Sequence, residues 1–410
     1  MWLLEAPEDK FGKIPWGKSL LTPETKFFNN ICFTEKFVHA KNHIISGCVD
    51  ITPRFLKKSR TKKEIQNFLF IVKGGIGDIL WIFPFIKKIK SDFPKSNIAI
   101  MTDDRGLKVF QNFPYLTCIV KEEGWLVRAM CDNADEIYDF SGMATFYKGM
   151  DHLDPVERPF TIAGFPAFKE KKDMRPHIVL TALEGRAAIE MLSSKGISAY
   201  KDTIISIALE ASTPNRSWPM YNNLRLAKML SADGHKIILL SEKKEHKHIS
   251  LIDCNCGYLD TAVIPENISN LSIKCPMCQN GATLTQTTGV SGIYNLSGET
   301  DVRSYMAILA LSNLFIGPNS SGIVIATALN TPTIGLFGAF NPKNRTKFYE
   351  KYISIQGDCQ DKKCEEHWTE CKYGHPAPCM RNISAEKVYD AAIGMIDKYK
   401  VPAEYKLPAE

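Results

Sequence analysis

The chain has 410 residues, of which 44% are hydrophobic and 23% charged, with a net charge of +6. That length exceeds one comfortable core and implies two domains, and the composition excludes a disordered or fibrous chain. No run of about 18 apolar residues occurs, so no transmembrane helix is expected, and the opening MWLLEAPEDKFGK lacks the basic-then-apolar order of a signal peptide.

Residues 1–66 read as an N-terminal accessory segment with scattered prolines and aromatics, and no chemistry is assigned to it. It ends in Arg54–Lys63, RFLKKSRTKK, which holds basic residues and no acid. Such a run is either a solvated linker or a patch drawn to a phosphate-rich surface: anionic lipid, lipopolysaccharide or nucleic acid.

From residue 67 the pattern alternates between strand and helix. Strands are expected over Phe68–Val72, Ile98–Met101, Cys118–Val120 and Glu136–Phe140, with helices over Ile79–Lys90 and Leu107–Phe113. A second series has strands at Ile204–Ala208, Lys236–Leu240, Leu314–Ile316 and Thr333–Phe337. Its helices are Tyr221–Asp233, Tyr305–Ser312, Ile323–Leu329 and a closing Lys387–Lys398. Short apolar strands alternating with helices imply parallel sheets covered on both faces. The fold class is therefore α/β: two Rossmann-like domains, 67–198 and 199–400, facing a cleft. Ligands in such sheets bind at the carboxyl ends of the strands.

The first strand opens the most informative stretch, FLFIVKGGIGDILWIFP. Gly74, Gly75 and Gly77 form a turn between a buried strand and a helix, where backbone N–H groups point at a ligand. The nicotinamide fingerprint G-x-G-x-x-G is the disfavoured alternative, because Gly75 and Gly77 are followed by Leu80 where the third glycine belongs. Asp78, in the first helical turn, is either a helix cap or a catalytic base.

Two loops of the second series carry further polar residues. Asn215–Pro219, NRSWP, follows a strand and places Arg216 where a guanidinium can grip phosphate; the bland reading is a surface ion pair. Asn319, Ser320, Ser321 and Gly322 follow another strand at a helix start, where they bind phosphate or sugar hydroxyls or simply cap the helix.

Eight of the 12 cysteines fall in two clusters. Cys254, Cys256, Cys275 and Cys278 read C-x-C-G then C-P-M-C, the ligand set of a structural zinc that would staple the insertion 254–278. A nucleic-acid ribbon is disfavoured, since the residues between Cys256 and Cys275 include one Lys and no Arg. Cys359, Cys364, Cys371 and Cys379, with His367 and His375 among them, form a tail cluster at 359–379 suited to zinc or iron. Unliganded buried thiols are the alternative at both.

Four of these segments, in order, resemble glycosyltransferase family 9, the ADP-heptose–lipopolysaccharide heptosyltransferases: IVKGGIGDILWIFP, NRSWP, IGPNSSGIVIATALNTP with TIGLFGAFNP, and the cysteine-bearing tail ending CMRNISAEKV. The resemblance implies a GT-B fold with cysteine-rich metal-binding insertions and an inverting sugar transfer. It implies Asp78 as general base, Gly75 and Gly77 at the substrate, and Arg216 with Asn319–Gly322 on the nucleotide sugar. Glu245, just past a strand, would hold ribose hydroxyls, with Glu242 as its rival. The chain departs from the family where Asn319 and Val324 replace the usual Asp and His, which leaves the donor sugar open. The tail resembles that of the bacterial autotransporter heptosyltransferases, whose cluster holds iron.

The implied donor is ADP-heptose and the implied acceptor a lipopolysaccharide-type saccharide, with no redox cofactor. A protein acceptor is the second possibility. A non-catalytic nucleotide-sugar or nucleic-acid binder on the same scaffold is the third, although nucleic acid is not expected as a partner. The expected place is the cytoplasm, with peripheral contact at an anionic inner membrane.

Overall fold

A computed structural model describes residues 66–122, 130–141, 150, 152–264, 273–286, 290–358, 371, 373–374 and 377–399, and the backbone of four short strands before residue 51. The chain divides into two compact units, Met1–Met174 and Arg175–Glu410. The early strands, β1 (Trp2–Glu5), β2 (Lys26–Phe28), β3 (Ile31–Thr34) and β4 (Val49–Asp50), form an antiparallel sheet in the order β2-β3-β1-β4. The basic run 54–63 lies outside the described residues.

The sheet of the first unit contains β5 (Asn67–Val72), β6 (Asn97–Thr102), β7 (Cys118–Lys121) and β8 (Glu136–Asp139), all parallel, in the order β7-β6-β5-β8. β5 is central, so Phe68, Leu69 and Phe70 are buried on both faces, as a continuous apolar run requires. The single helix expected over 79–90 is instead two, α1 (Ile76–Leu80) and α2 (Phe83–Asp92). Pro84 is the reason: it has no N–H to give the Leu80 carbonyl, and the helix restarts with proline in its first turn. The next helix, α3 (Asp104–Val109), begins earlier than the apolar pattern suggested because Asp103 caps it, accepting from the N–H of Arg105 and Gly106. A last helix, α4 (Arg158–Ala163), carried no clear period.

The second unit begins before the expected boundary at 198/199, with α5 (Ala182–Ser193). Arg303 binds this helix through two bonds to Glu184, at 2.6 and 3.0 Å, and a third to the Val179 carbonyl. The main sheet holds β9 (Ile204–Ala208), β10 (Lys236–Leu240), β15 (Ile293–Asn295), β16 (Leu314–Pro318), β17 (Thr333–Phe337) and β18 (Tyr352–Gln356). It is parallel throughout, in the order β15-β10-β9-β16-β17-β18. Around it lie α6 (Met220–Ala232), α7 (Val302–Leu311), α8 (Ser321–Ala328), α9 (Pro378–Arg381) and α10 (Ala385–Lys398).

One apolar core joins β9, β16, α6 and α10, through Ile205, Ile316, Leu226, Leu230 and Val388 among others. Trp218 is buried in it and donates from Nε1 to the Ile383 carbonyl at 2.9 Å. Burying such a ring stabilises by about 2–3 kcal/mol. Between β10 and β15 the chain makes a separate antiparallel sheet of β11 (Ile249–Asp253), β12 (Leu259–Val263), β13 (Ile273–Lys274) and β14 (Gly281–Gln286), in the order β12-β11-β14-β13. The cysteine spacing predicts a metal staple here but no strands.

Candidate active site

In the first unit the glycine turn delivers Asp78 to the carboxyl end of β5. Gly74 has φ +143°, a conformation open to glycine, and Gly75 is the N-cap of α1. Asp78 stands at the third helical position, and its Oδ2 accepts from the Gly75 N–H at 3.0 Å. The carboxylate therefore does perform the capping role. It is half-buried and held by its own turn, which fixes its direction. Gly77 is buried, and its carbonyl accepts from the Trp81 N–H at 3.1 Å. Lys73 and Glu122, from the ends of β5 and β7, pair at the same edge of the sheet.

In the second unit, strand order marks the site. From β9 the chain steps to β10 and then β15 on one side, while β16, β17 and β18 lie on the other. The crevice at such a reversal is where open α/β sheets bind ligands. There the two polar loops meet. Arg216 donates from Nη1 to the Asn319 carbonyl at 3.2 Å, from Nε to Thr213 Oγ1 at 2.8 Å and from Nη2 to Ser212 Oγ at 2.6 Å. The Asn319 N–H continues the ladder to Leu336 at 3.0 Å. Its side-chain Nδ2 is buried and lacks a partner among the described residues.

Ser320 is the N-cap of α8, and its hydroxyl makes no cap bond to the helix. Ser321 opens the helix and Gly322 follows, in close quarters: a Cβ at 322 would come 2.7 Å from the Phe315 ring and 2.8 Å from the Tyr305 hydroxyl. Val324, at the position of the family's His, is buried in the helix. The α8 N-terminus and Arg216 together put positive charge at the carboxyl ends of β9 and β16, which suits an anion. Arg345, outside the sequence motifs, adds to it. Arg345 sits 4.4 Å over the Phe340 ring, and Arg216 lies 6.0 Å from the same ring. Its only signal was its place just after TIGLFGAFNP.

Glu245 and Glu242 are both exposed, in the segment that follows β10. Glu245 acts on His246. Glu242 acts on Tyr305, whose hydroxyl is pushed above its ordinary range by burial first and by this carboxylate second. The structure also brings forward Glu210, unremarked in the sequence, directly after β9. Ser241 Oγ donates to it at 2.9 Å and Lys243 Nζ pairs with it at 2.6 Å, while His246 Nδ1 lies 3.0 Å from Ser241 Oγ. Burial lowers the His246 pKa below 6.5, against the opposite pull of Glu210, so the ring is neutral at pH 7. The signal was available: an acid at the end of the buried run IISIALE.

Cys254, Cys256, Cys275 and Cys278 come together, with all four Sγ atoms within 4.8 Å of one another. In the tail, Cys359 and Cys364 lie outside the described residues. Cys379 is buried on α9, and Cys371 is half-buried against the core.

The model of glycosyltransferase family 9 (heptosyltransferase) matches residues 277–375. The resemblance expected from the sequence is found over this stretch, which holds the third of the four segments and part of the fourth. That stretch contains the Asn319–Gly322 loop, β16 to β18 and Arg345. No curated protein sequence matches the chain. Among solved structures, E. coli ADP-heptose LPS heptosyltransferase II is similar over 81% of this chain and 99% of its own, at 15% identity and a TM-score of 0.56. A family 9 glycosyltransferase from Veillonella parvula is similar over 80% and 97%, at 14% identity and a TM-score of 0.56. The iron-containing dodecameric heptosyltransferase TibC, solved with ADP-D-beta-D-heptose, is similar over 93% and 85%, at 13% identity and a TM-score of 0.52. The fold is of the GT-B type. Among the described residues no helix is long and apolar enough to cross a membrane.

Proposed function

We propose that this chain is an inverting glycosyltransferase that moves a heptose from ADP-heptose to a hydroxyl of a lipopolysaccharide-type saccharide. The observation that carries the reading is the union of Arg216 with the Asn319 loop at the reversal of strand order, beside the free end of α8. A nucleoside diphosphate is a good leaving group only when its developing charge meets fixed cations and N–H dipoles. This loop pair offers Arg216, Arg345, the α8 N-terminus and Asn319 Nδ2, which has no partner among the described residues.

In this reading Asp78 takes the proton of the acceptor hydroxyl as its oxygen attacks the anomeric carbon. The bond from that carbon to the diphosphate oxygen breaks on the opposite face, and nucleoside diphosphate leaves with the electron pair. The N–H bond to Oδ2 orients the carboxylate. Glu245 or Glu242 holds the ribose. The enzyme works in the cytoplasm, and the basic run 54–63 draws it to an anionic membrane surface.

The test is release of nucleoside diphosphate from a panel of ADP-, UDP- and GDP-sugars, with and without heptose-bearing saccharide acceptors. Acceptor-dependent release from ADP-heptose supports the reading, and release from another sugar replaces the donor. Binding of nucleotide sugar without release from any of them would leave a binding protein on a transferase scaffold.

A further inference from the structure

The insertion between β10 and β15 begins and ends beside the residues just described, and its far end gathers four thiols. Two turns bring them together. Cys254 and Cys256 lie on the turn from β11 to β12, where the Gly257 N–H donates to the Cys254 carbonyl at 2.9 Å and the Cys254 N–H to the Tyr258 carbonyl at 3.0 Å. Cys275 and Cys278 lie on the turn from β13 to β14, where the Gln279 N–H donates to the Cys275 carbonyl at 2.9 Å and the Cys275 N–H to Asn280 at 2.8 Å. Each turn is closed by a residue in the left-handed region, Gly257 at φ +88° and Gln279 at φ +61°.

The sulfurs are spaced for a tetrahedron. Cys254 and Cys278 Sγ are 3.5 Å apart, as are Cys256 and Cys275 Sγ, and no pair exceeds 4.8 Å. A metal with bonds of about 2.3 Å to four thiolates needs an S···S edge of about 3.8 Å. Four thiolates with no histidine or carboxylate among them suit a soft, tetrahedral ion. Cys256 is exposed, and zinc tolerates that exposure because it has no redox chemistry of its own.

The near end of the ribbon is tied to the donor side of the second unit. Ile249 and Leu251 of β11 are buried in the main core. The Ile264 N–H, past β12, donates to the His248 carbonyl at 2.9 Å, and Asn295 Nδ2 of β15 donates to the His246 carbonyl at 2.8 Å. The segment 241–248, which carries Glu242, Lys243, Glu245 and His246, is thus bound to the end of the ribbon's second strand on one side and to the strand that follows the ribbon on the other.

We propose that Cys254, Cys256, Cys275 and Cys278 bind one zinc ion, which closes the insertion into a ribbon and thereby braces the segment 241–248. The ribbon is too small to hold its strands by burial alone: Leu259 and Thr261 are half-buried, and Val263 is 54% exposed. In sheets of this size metal binding supplies the folding free energy. The bracing stands on the hydrogen bonds above; its consequence for nucleotide-sugar binding rests on the proposed function.

The experiment uses the full chain. Metal content is measured on wild type and on a Cys275→Ser, Cys278→Ser double variant, followed by cobalt exchange and absorption spectroscopy. Wild type should hold one zinc more than the variant, and the tetrahedral cobalt–thiolate bands should weaken by one site's worth in the variant. Equal metal content, or iron in place of zinc at this site, overturns the assignment. Should the variant fail to fold, amide exchange on wild type before and after chelation decides the matter. Zinc loss should speed exchange about tenfold or more over 241–286 while β9, β16 and β17 stay protected, with recovery on zinc addition. Unchanged exchange over 241–248 refutes the bracing. Titration with ADP is read separately: failure of ADP to bind the zinc-loaded protein sinks the transferase reading and leaves the metal and exchange results standing.

Discussion

The two candidate catalytic regions are built in opposite ways. Asp78 accepts from a partner three residues away, the Gly75 N–H, so one turn already aims it. Arg216 is oriented across 103 residues, by the carbonyl of Asn319, and only a completed sheet brings the two together. A carboxylate that must accept a proton can be aimed by its own turn. A cation that must meet a diphosphate needs the crevice, the α8 terminus and a second loop at once. The difference predicts that damage to the second unit's packing will cost donor binding first and leave the base in place.

The largest expected effect tests the local half. Asp78→Asn keeps an acceptor for the Gly75 N–H but cannot take a proton, so turnover should fall by about 10²–10⁴ with little change in melting temperature. A loss under about threefold in steady-state rate would show that Asp78 is a cap and nothing more.

Arg216→Ala should lower kcat by about 10²–10³ with the base untouched, because transition-state charge is lost. Arg216→Lys should recover part of it, since Lys supplies the charge without the fork. An Arg216→Ala enzyme with raised KM and normal kcat would assign the residue to ground-state binding instead.

The packing that assembles the distant half is tested by Arg303→Ala. It leaves Glu184 half-buried without its guanidinium and should cost about 3 kcal/mol in urea denaturation. Arg303→Met with Glu184→Met should recover most of that.

A smaller effect is expected from acid. His235 and His246 have pKa values lowered from 6.5 by burial, so the folded state binds fewer of these protons than the unfolded chain. Their contribution is present above about pH 6.5 and is lost as pH falls below it. Glu184 and Glu299 are held below 4.5 by their Arg and Lys partners against the opposing effect of burial, and their contribution fades as pH falls through that lower range. Melting temperature should therefore decline in two steps on acidification. In Glu210→Gln, the His246 titration should move to still lower pH by NMR, because Glu210 is the first charge supporting the protonated ring.

What the sequence discloses follows the same division. Buried strands such as β5, β9, β10 and β17 announce themselves as largely apolar runs, and Asp78 stands out because the glycine turn that holds its Oδ2 is written in the same few residues. The split of α1 from α2 was legible in Pro84, a rule of local sterics outweighed by the longer apolar pattern. Asp103 likewise gave a cap signal that the apolar period overrode. Glu210, Arg345 and the Glu184–Arg303 pair were not legible, because each gains its role from neighbours brought by the fold. The ribbon strands fall between: the cysteines gave the turns away, but Leu259–Val263 and Gly281–Gln286 lack clean alternation, since their sheet is not built around a deep core.

Trp218 carries one more consequence, for synthesis. Its indole N–H is satisfied by Ile383, 165 residues further along the chain, and α6 shares its core with α10. A ribosome adding about 5–20 residues per second delivers that stretch in roughly 8–33 seconds. Through that interval the first unit's sheet can already be formed, while the apolar face of α6 waits uncovered. The second unit is thus the part of the nascent protein that chaperones must shield, and truncation anywhere before Ile383 should yield a chain that is made and then degraded.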